Sequence, residues 1–151
     1  SSMMEGILQW ILPVANAEEG SIITLEEAVE PTEEEIAILK DAMNALYDEQ
    51  NFVKAEPLLT RAISMWETKP AFERNELYHL RGNCYMYLRR PAEALKDYDK
   101  VVKYLETEEG AELTPQEDKQ SLFLAIARAL RSKGVLSSDI NIAKKQQAEA
   151  A

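Results

Sequence analysis

The feature that most constrains the fold of this chain is an internal repeat with an offset of 39 residues. Laying one stretch on the other aligns Met43 with Gly82 and Ala55 with Ala94. In both stretches, apolar residues recur at the three- and four-residue spacing of a helix. Because one helical pair cannot bury its apolar face alone, repeated pairs predict stacked helical hairpins and an all-α fold.

Local signals place the helices along the chain. Gly is scarce, at 5 residues, and the 6 Pro fall largely between the periodic segments. Thr32 with Glu35 forms one capping box, and Thr114 with Glu117 forms a second. Pro57 lies several residues into a helix, so we expect a late start or a kink there. The predicted helices cover about residues 32–50, 52–68, 71–88, 91–105, 122–133 and 140–149.

The N-terminal part of the chain is expected to be separate from the helical domain. We divide the chain into an apolar and acidic segment, 1–31, and a helical domain, 32–151, and interpret Ser1-Ser2 as a cloning remnant. Residues 7–15 are apolar, but a membrane helix needs roughly 20 residues. They lead into Ala15-Asn16-Ala17, a signal-peptidase pattern, without a basic region before them. The alternatives are the tail of a longer targeting peptide and a segment that docks on a protein surface.

The charge is distributed unevenly along the chain. Lys and Arg number 17 and Asp and Glu number 27, for a net charge of −10. Residues 18–35 carry −8 and residues 106–118 carry −6, so the remainder carries +4. We expect both acidic stretches to be solvated linkers, with 18–35 alternatively competing for a basic groove or attracting a basic partner. The charge argues against nucleic acid and anionic membranes, but an acidic peptide remains a suitable ligand.

The sequence offers little catalytic chemistry. It has one Cys and one His, which exclude an internal disulfide framework and a cysteine-built zinc site. His79 and Cys84 lie about 140° apart around a helix, so they cannot act together. No phosphate loop, zinc-protease motif or nucleophile elbow is present. We therefore expect no enzymatic activity, no metal and no cofactor, and we expect Cys84 to be a core residue.

The second stretch of the repeat carries a family resemblance. The segment LYHLRGNCYMYLRRPAEALKDYDKVV resembles a tetratricopeptide repeat in its small residues, its aromatic residues and their spacing. The first stretch, 36–68, resembles it less closely, because Met43 replaces the usual Gly and Leu46 the usual Tyr. A third stretch beginning at Phe123 matches in its first helix only. Over residues 33–145 the resemblance implies a short right-handed superhelix of two full repeats and a degenerate capping pair.

The resemblance also implies where a ligand would bind. In this family the concave groove is lined by the first helix of each pair. The corresponding side chains are Lys40, Asn44, Tyr47 and Asp48; Glu76, His79, Leu80, Asn83, Met86 and Tyr87; and Leu124, Arg128 and Arg131. The cations and His79 would make the groove mildly positive, and the two Asn amides suit a peptide backbone. Tyr47, Met86 and Tyr87 would add apolar contact area.

These patterns predict a non-enzymatic interaction module that binds a peptide or partner helix, as an assembly, scaffold or regulatory factor. One alternative is a self-associating or autoinhibited module whose residues 7–15 occupy its own or a neighbour's groove. Another is a carboxylate clamp like that of co-chaperones, built on Lys40 and Asn44. That clamp is incomplete, since Leu80, Ser121 and Ala125 stand where it needs Asn, Lys and Arg. The compartment stays open between the cytoplasm and an organelle, including a plastid stroma or lumen.

Overall fold

The computed structural model describes residues 30–132, residue 145 and residues 147–150, and this part of the chain is helical and has no strand. The all-α prediction is therefore confirmed. The elements are α1 (Glu33–Met43), a π-helical turn (Asn44–Asp48), α2 (Phe52–Met65), α3 (Ala71–Tyr87), α4 (Pro91–Leu105), α5 (Glu108–Leu113) and α6 (Gln116–Arg131). They form two compact units, with the boundary between Leu77 and Tyr78 inside α3. Within the described ranges, no helix is long and apolar enough to cross a membrane.

Two of the predicted helix starts are confirmed. At α1 the Thr32 Oγ1 accepts from the Glu35 N–H at 3.2 Å, and the Glu35 Oε1 accepts from the Thr32 N–H at 2.9 Å. This reciprocal capping box satisfies two of the backbone donors that a helix start leaves open. Pro91 occupies the first position of α4, where its fixed φ suits the helix and its missing N–H costs nothing.

Two local predictions are wrong, and so is the late start that was one alternative for α2. Pro115 itself caps α6, in extended conformation and without a side-chain hydrogen bond, so the capping box at Thr114 does not form. Pro57 does not delay α2, because the Asn51 Oδ1 accepts from the Lys54 N–H at 3.1 Å and starts the helix at Phe52. The stretch 106–118 is not merely a linker, since it contains α5.

The helix α5 starts at a threonine cap, which the acidic composition of residues 106–118 does not indicate. The Thr107 Oγ1 accepts from the Gly110 N–H at 3.0 Å, and acidic residues fill the first turn, where the helix dipole favours negative charge. Gly110 is buried, and a Cβ at this position would run into the Tyr104 carbonyl. The chain can turn this tightly after α4 only with glycine at position 110.

The first unit is built on α1, the π turn and α2, which pack together as an antiparallel pair. The Glu49 N–H donates to the Asn44 carbonyl at 2.9 Å, five residues back, which is the π-helical pattern. Gln50 then adopts a left-handed conformation with φ 49° and reverses the chain. The buried residues of the pair are Ile38, Leu39, Ala42, Met43, Ala45, Leu46, Ala55, Leu59, Ala62, Ile63 and Trp66.

The second unit has a core shared by α3, α4 and α6. Its buried members are Tyr85, Ala94, Tyr98, Val101, Val102, Leu122, Ile126 and Ala129. Gly82 makes room for the ring of Tyr98, since a Cβ at position 82 would lie 2.5 Å from the Tyr98 Cε1 atom. Arg89, with φ 58°, reverses the chain between α3 and α4.

An ion pair joins α3 to α4 beside this core. Arg81 donates from Nε to Oδ2 of Asp97 and from Nη2 to Oδ1, each at 2.7 Å. The guanidinium also lies 5.6 Å from the ring centre of Tyr78 and 5.7 Å from that of Tyr85. The hydrogen bonds to Asp97 raise the pKa of Arg81. Because Asp97 is buried, this bidentate pair supplies the compensation that its charge requires.

Candidate functional site

Asn83, one of the predicted groove residues of the second unit, is hydrogen-bonded to the hydroxyl of Tyr98. This hydroxyl donates to the Oδ1 of Asn83 at 2.7 Å, which links α4 to the half-buried face of α3. The Tyr98 side chain is fully buried, and its burial raises its pKa well above the ordinary value. The hydroxyl therefore stays protonated and acts as a hydrogen-bond donor.

The charges of two further predicted residues act on the same hydroxyl. Besides burial, Asp97 raises the pKa of Tyr98, Arg128 on α6 lowers it, and Tyr87 raises it. Arg128 is exposed, and no carboxylate of the described residues forms an ion pair with it. Asn83 therefore bonds the Tyr98 hydroxyl directly, whereas Arg128 and Tyr87 act on it through their charge.

The exposed surface beside this polar group is apolar. Tyr87 is 67% exposed and Leu124 is 55% exposed, although both are large hydrophobic side chains. Met86 is half-buried and packs against the core of the second unit. The face therefore combines an amide, a guanidinium and apolar area, with Tyr87 on α3 and Leu124 on α6.

The prediction that His79 adds positive charge to an exposed groove is wrong. His79 is only 8% exposed, and its burial lowers its pKa to about 4, so it is neutral at pH 7. Its ring meets that of Tyr98 edge to face, with 5.9 Å between ring centres. Leu80 is buried as well and belongs to the interior. Both residues lie on the inner side of α3, and His79 supports the Tyr98 ring.

The predicted residues of the first unit have a different local environment. Lys40 is exposed, whereas Asn44 and Tyr47 are half-buried. The Asn44 Nδ2 donates to the Glu49 Oε1 at 3.2 Å, and the Lys54 Nζ lies 3.1 Å from the Oε2 of the same carboxylate. The amide donor of Asn44 is therefore already engaged at the end of the π turn.

The remaining predictions concern the end of α6 and residues outside the described ranges. Arg131 is exposed at the last position of α6. Residues 7–15 and most of the helix predicted over 140–149 lie outside the described residues. Within the described ranges, no group of three or more His, Cys, Asp or Glu could hold a metal ion. Cys84 is buried, as predicted.

Sequence reasoning missed Tyr98 as part of the site. The 39-residue repeat aligns it with Leu59, which indicates a packing residue only. The available signal was its hydroxyl, because a buried tyrosine usually needs a hydrogen-bond partner. Identifying Asn83 as that partner requires the packing of α4 against α3, which the sequence does not give.

One comparison with known proteins gives a match. Residues 75–107, which contain Gly82, Asn83 and Tyr98, match the family model described as tetratricopeptide repeat. The comparisons with curated proteins and with solved structures give no match. The matched residues begin inside α3, include all of α4 and end just before α5.

Proposed function

We propose that this chain, whose residues 75–107 match the tetratricopeptide repeat, binds a peptide or a partner helix on the first helices of its repeats. The family is generally a non-enzymatic fold for protein–protein interaction. The role that fits such a module is that of an assembly, scaffold or regulatory factor with protein partners.

The observation that carries the proposal is the mixed surface of the second unit, formed by Asn83, Tyr87, Leu124 and Arg128. Large apolar side chains that remain exposed beside polar groups are typical of interaction sites. Tyrosine and arginine are also the residues that most often dominate binding energy in protein interfaces. Tyr87 and Arg128 therefore supply the expected anchors, and Asn83 supplies hydrogen bonding.

The charge of this surface favours an acidic ligand. Arg128 and Arg131 are exposed on α6. Since exposed charges are screened by salt, binding that depends on these cations should weaken as the ionic strength rises. His79 contributes nothing to this preference, because it is buried and neutral.

Affinity capture with matched variants tests the proposal. The variant Tyr87→Ser with Arg128→Glu changes the proposed face, and Val53→Ser is the control because Val53 is 76% exposed on α2. We expect the wild type and the control to capture a protein that the double variant loses. Calorimetry with that protein, once purified, should show at least about a tenfold loss of affinity for the double variant. Equal affinities for all three proteins would refute this face as the site.

Self-association through residues 7–15 is the second proposal for the binding mode. Its support is the apolar character of this segment, which is flanked by charged residues. Deleting residues 1–17 and measuring the mass in solution decides it, because an unchanged monomer would rule out dimerisation.

The carboxylate clamp on Lys40 and Asn44 is a third proposal, and the hydrogen bond that Asn44 already makes affects it. Since its amide donates to Glu49, a ligand carboxylate would have to displace that contact. Asn44→Ala should weaken binding of peptides with a free C-terminus more than binding of amidated ones. Equal effects on both peptides would remove this proposal.

A further inference from the structure

We infer that Tyr98 is a positioning residue for ligand recognition, because its hydroxyl holds the Asn83 amide with the NH2 group turned outward. The face would then select groups that present an oxygen acceptor, above all a carboxylate. This inference rests on the proposed function, since it specifies what the face of the second unit recognises.

The Tyr98 ring has little freedom to move. One side of the ring lies against the backbone of Gly82, where no Cβ would fit. The His79 ring approaches it at an interplanar angle of 87°. Because Tyr98 is fully buried between such neighbours, the position of its hydroxyl oxygen is fixed by packing.

In the contact between Tyr98 and the Oδ1 of Asn83, only the hydroxyl can donate, because an amide oxygen only accepts. Burial raises the pKa of Tyr98, so the hydroxyl keeps its proton. That proton is directed at Oδ1, and 2.7 Å separates the two oxygens.

The shape of the Asn83 amide determines the direction of its NH2 group. Oδ1 and Nδ2 diverge from one planar carbon, so an Oδ1 held by Tyr98 turns Nδ2 away from the core. Within the described residues, the Nδ2 of Asn83 has no hydrogen-bond partner, and the residue is half-buried. Asn83 therefore presents N–H donors, and Arg128, whose charge acts on the same Tyr98 hydroxyl, also has donors only. Two such donor groups favour a carboxylate and disfavour a ligand amine.

An NMR titration of the labelled full chain tests the inference with small probes. N-acetylleucine offers a terminal carboxylate, N-acetylglutamate dimethylamide offers only a side-chain carboxylate, and N-acetylleucine methylamide offers carbonyl groups alone. The reporter is the side-chain NH2 signal of Asn83, which is assigned by its loss in Asn83→Ala. We expect at least one carboxylate probe to shift this signal more than the methylamide does. The more effective carboxylate probe identifies the source of the carboxylate.

Three variants separate positioning from binding. Tyr98→Phe keeps the ring and removes the hydroxyl, so we expect the probe to bind about threefold to tenfold more weakly. Tyr104→Phe is the matched control, because the Tyr104 hydroxyl on the same helix is buried without a hydrogen-bond partner in the described part of the chain. Asn83→Asp keeps an oxygen for Tyr98 but replaces the NH2 group, and it should abolish carboxylate binding.

The outcomes distinguish the inference from the proposed function. If Tyr98→Phe binds the probe as the wild type does while Asn83→Ala loses it, positioning by Tyr98 is wrong and the face still stands. If no probe shifts the Asn83 signal at millimolar concentration, the selectivity for oxygen acceptors is wrong. If Asn83→Asp still binds the carboxylate probe, the selectivity for oxygen acceptors is wrong as well. The face itself fails only if the protein captured by affinity binds Tyr87→Ser with Arg128→Glu unchanged.

Discussion

The two helical pairs, α1 with α2 and α3 with α4, fill the same positions with side chains of opposite size. The first pair has Met43 on its first helix and Leu59 on its second, whereas the second pair has Gly82 and Tyr98. The three side chains are buried, and the Tyr98 ring occupies the space where a Cβ at Gly82 would lie. The two repeats thus preserve the filling of the interior and not the residue at each position.

This exchange of size changes the polar chemistry of the neighbouring asparagines. Asn44 and Asn83 are equivalent in the repeat, yet only Asn83 faces a tyrosine hydroxyl. Since Leu59 offers no donor, Asn44 instead uses its Nδ2 on Glu49. One amide is therefore held through its donor and the other through its acceptor. Among the described residues, the two repeats thus engage opposite halves of the same side chain.

The buried charges differ between the units as well. Arg81 and Asp97 of the second pair replace Ala42 and Leu58 of the first, and they form a bidentate ion pair. In the first unit, Glu73 is buried beside Lys69, but the Lys69 Nζ pairs with Glu35, at 3.1 Å from its Oε2. Asp97 therefore has a bidentate partner, whereas burial raises the pKa of Glu73 more than Trp66 and Lys69 lower it. Removing Arg81 and neutralising Glu73 should have opposite effects on stability.

The largest expected effect is the loss of the compensated ion pair. Arg81→Ala leaves Asp97 buried without its partner, which should destabilise the protein by about 3–5 kcal/mol in urea unfolding. Adding Asp97→Leu reproduces the Ala42 and Leu58 of the first pair and should recover most of the loss. A cost below about 1 kcal/mol for Arg81→Ala would show that the ion pair is dispensable.

Neutralising the buried carboxylate of Glu73 should stabilise the protein. Burial raises the pKa of Glu73 from 4.5 to about 7, so the folded state binds its proton more tightly than the unfolded state does. Stability should therefore fall as the pH rises from 4.5 to 7. At pH 8, Glu73→Gln should stabilise the protein by up to about 3 kcal/mol, and by less at pH 5.

Urea unfolding at pH 5 and pH 8 checks this prediction, with Glu67→Gln as the control because Glu67 is exposed. The control should leave the difference between the two pH values unchanged. Equal stabilisation by Glu73→Gln at both pH values would contradict the buried carboxylate as its source.

The exchange of size between the repeats can be tested with a double-mutant cycle. Gly82→Ala should destabilise the protein by about 1–3 kcal/mol, despite the better helix propensity of alanine, because the new Cβ meets the Tyr98 ring. Combining it with Tyr98→Leu, the residue type of the first pair, should reduce that cost. Thermal unfolding followed by circular dichroism measures both effects. Additive costs would mean that positions 82 and 98 are not coupled.

The smallest effect distinguishes two helix starts. Thr32→Ala removes a formed capping box and should cost about 1 kcal/mol. Thr114→Ala removes a side chain that does not cap α6, so its effect should lie within about 0.5 kcal/mol. Denaturation midpoints of the two variants check the contrast. Equal costs would show that Thr114 stabilises α6 by another route.

The repeat predicted most of the fold because its signals are local. Apolar spacing and the box at Thr32 placed α1 to α4 within a few residues of their observed ends. The failures arose where one hydrogen bond decided the outcome. Thr107 caps α5 with Gly110, not Glu or Gln, at the third helical position, so no capping-box signal marks its start.

The site was harder to predict, because its chemistry depends on contacts between helices. The spacing of the resemblance indicates Asn83, Tyr87 and Arg128, and in the structure Asn83 bonds the Tyr98 hydroxyl while the other two act on it through their charge. The burial of His79 follows from the position of the Tyr98 ring on α4, which spacing along α3 does not reveal. The spacing along a helix predicts which face a residue lies on, but it does not predict how deeply its side chain is buried.

The left-handed residues Gln50 and Arg89 lie at the same place in the two repeats, 39 residues apart. Each of these residues has a backbone conformation that glycine would adopt with less strain. The direction in which each hairpin reverses is therefore set by backbone geometry, whatever side chain occupies the position. For protein engineering, these two residues are natural junctions. A hairpin joined there could be duplicated or exchanged as a cassette while the chain still turns in the same way.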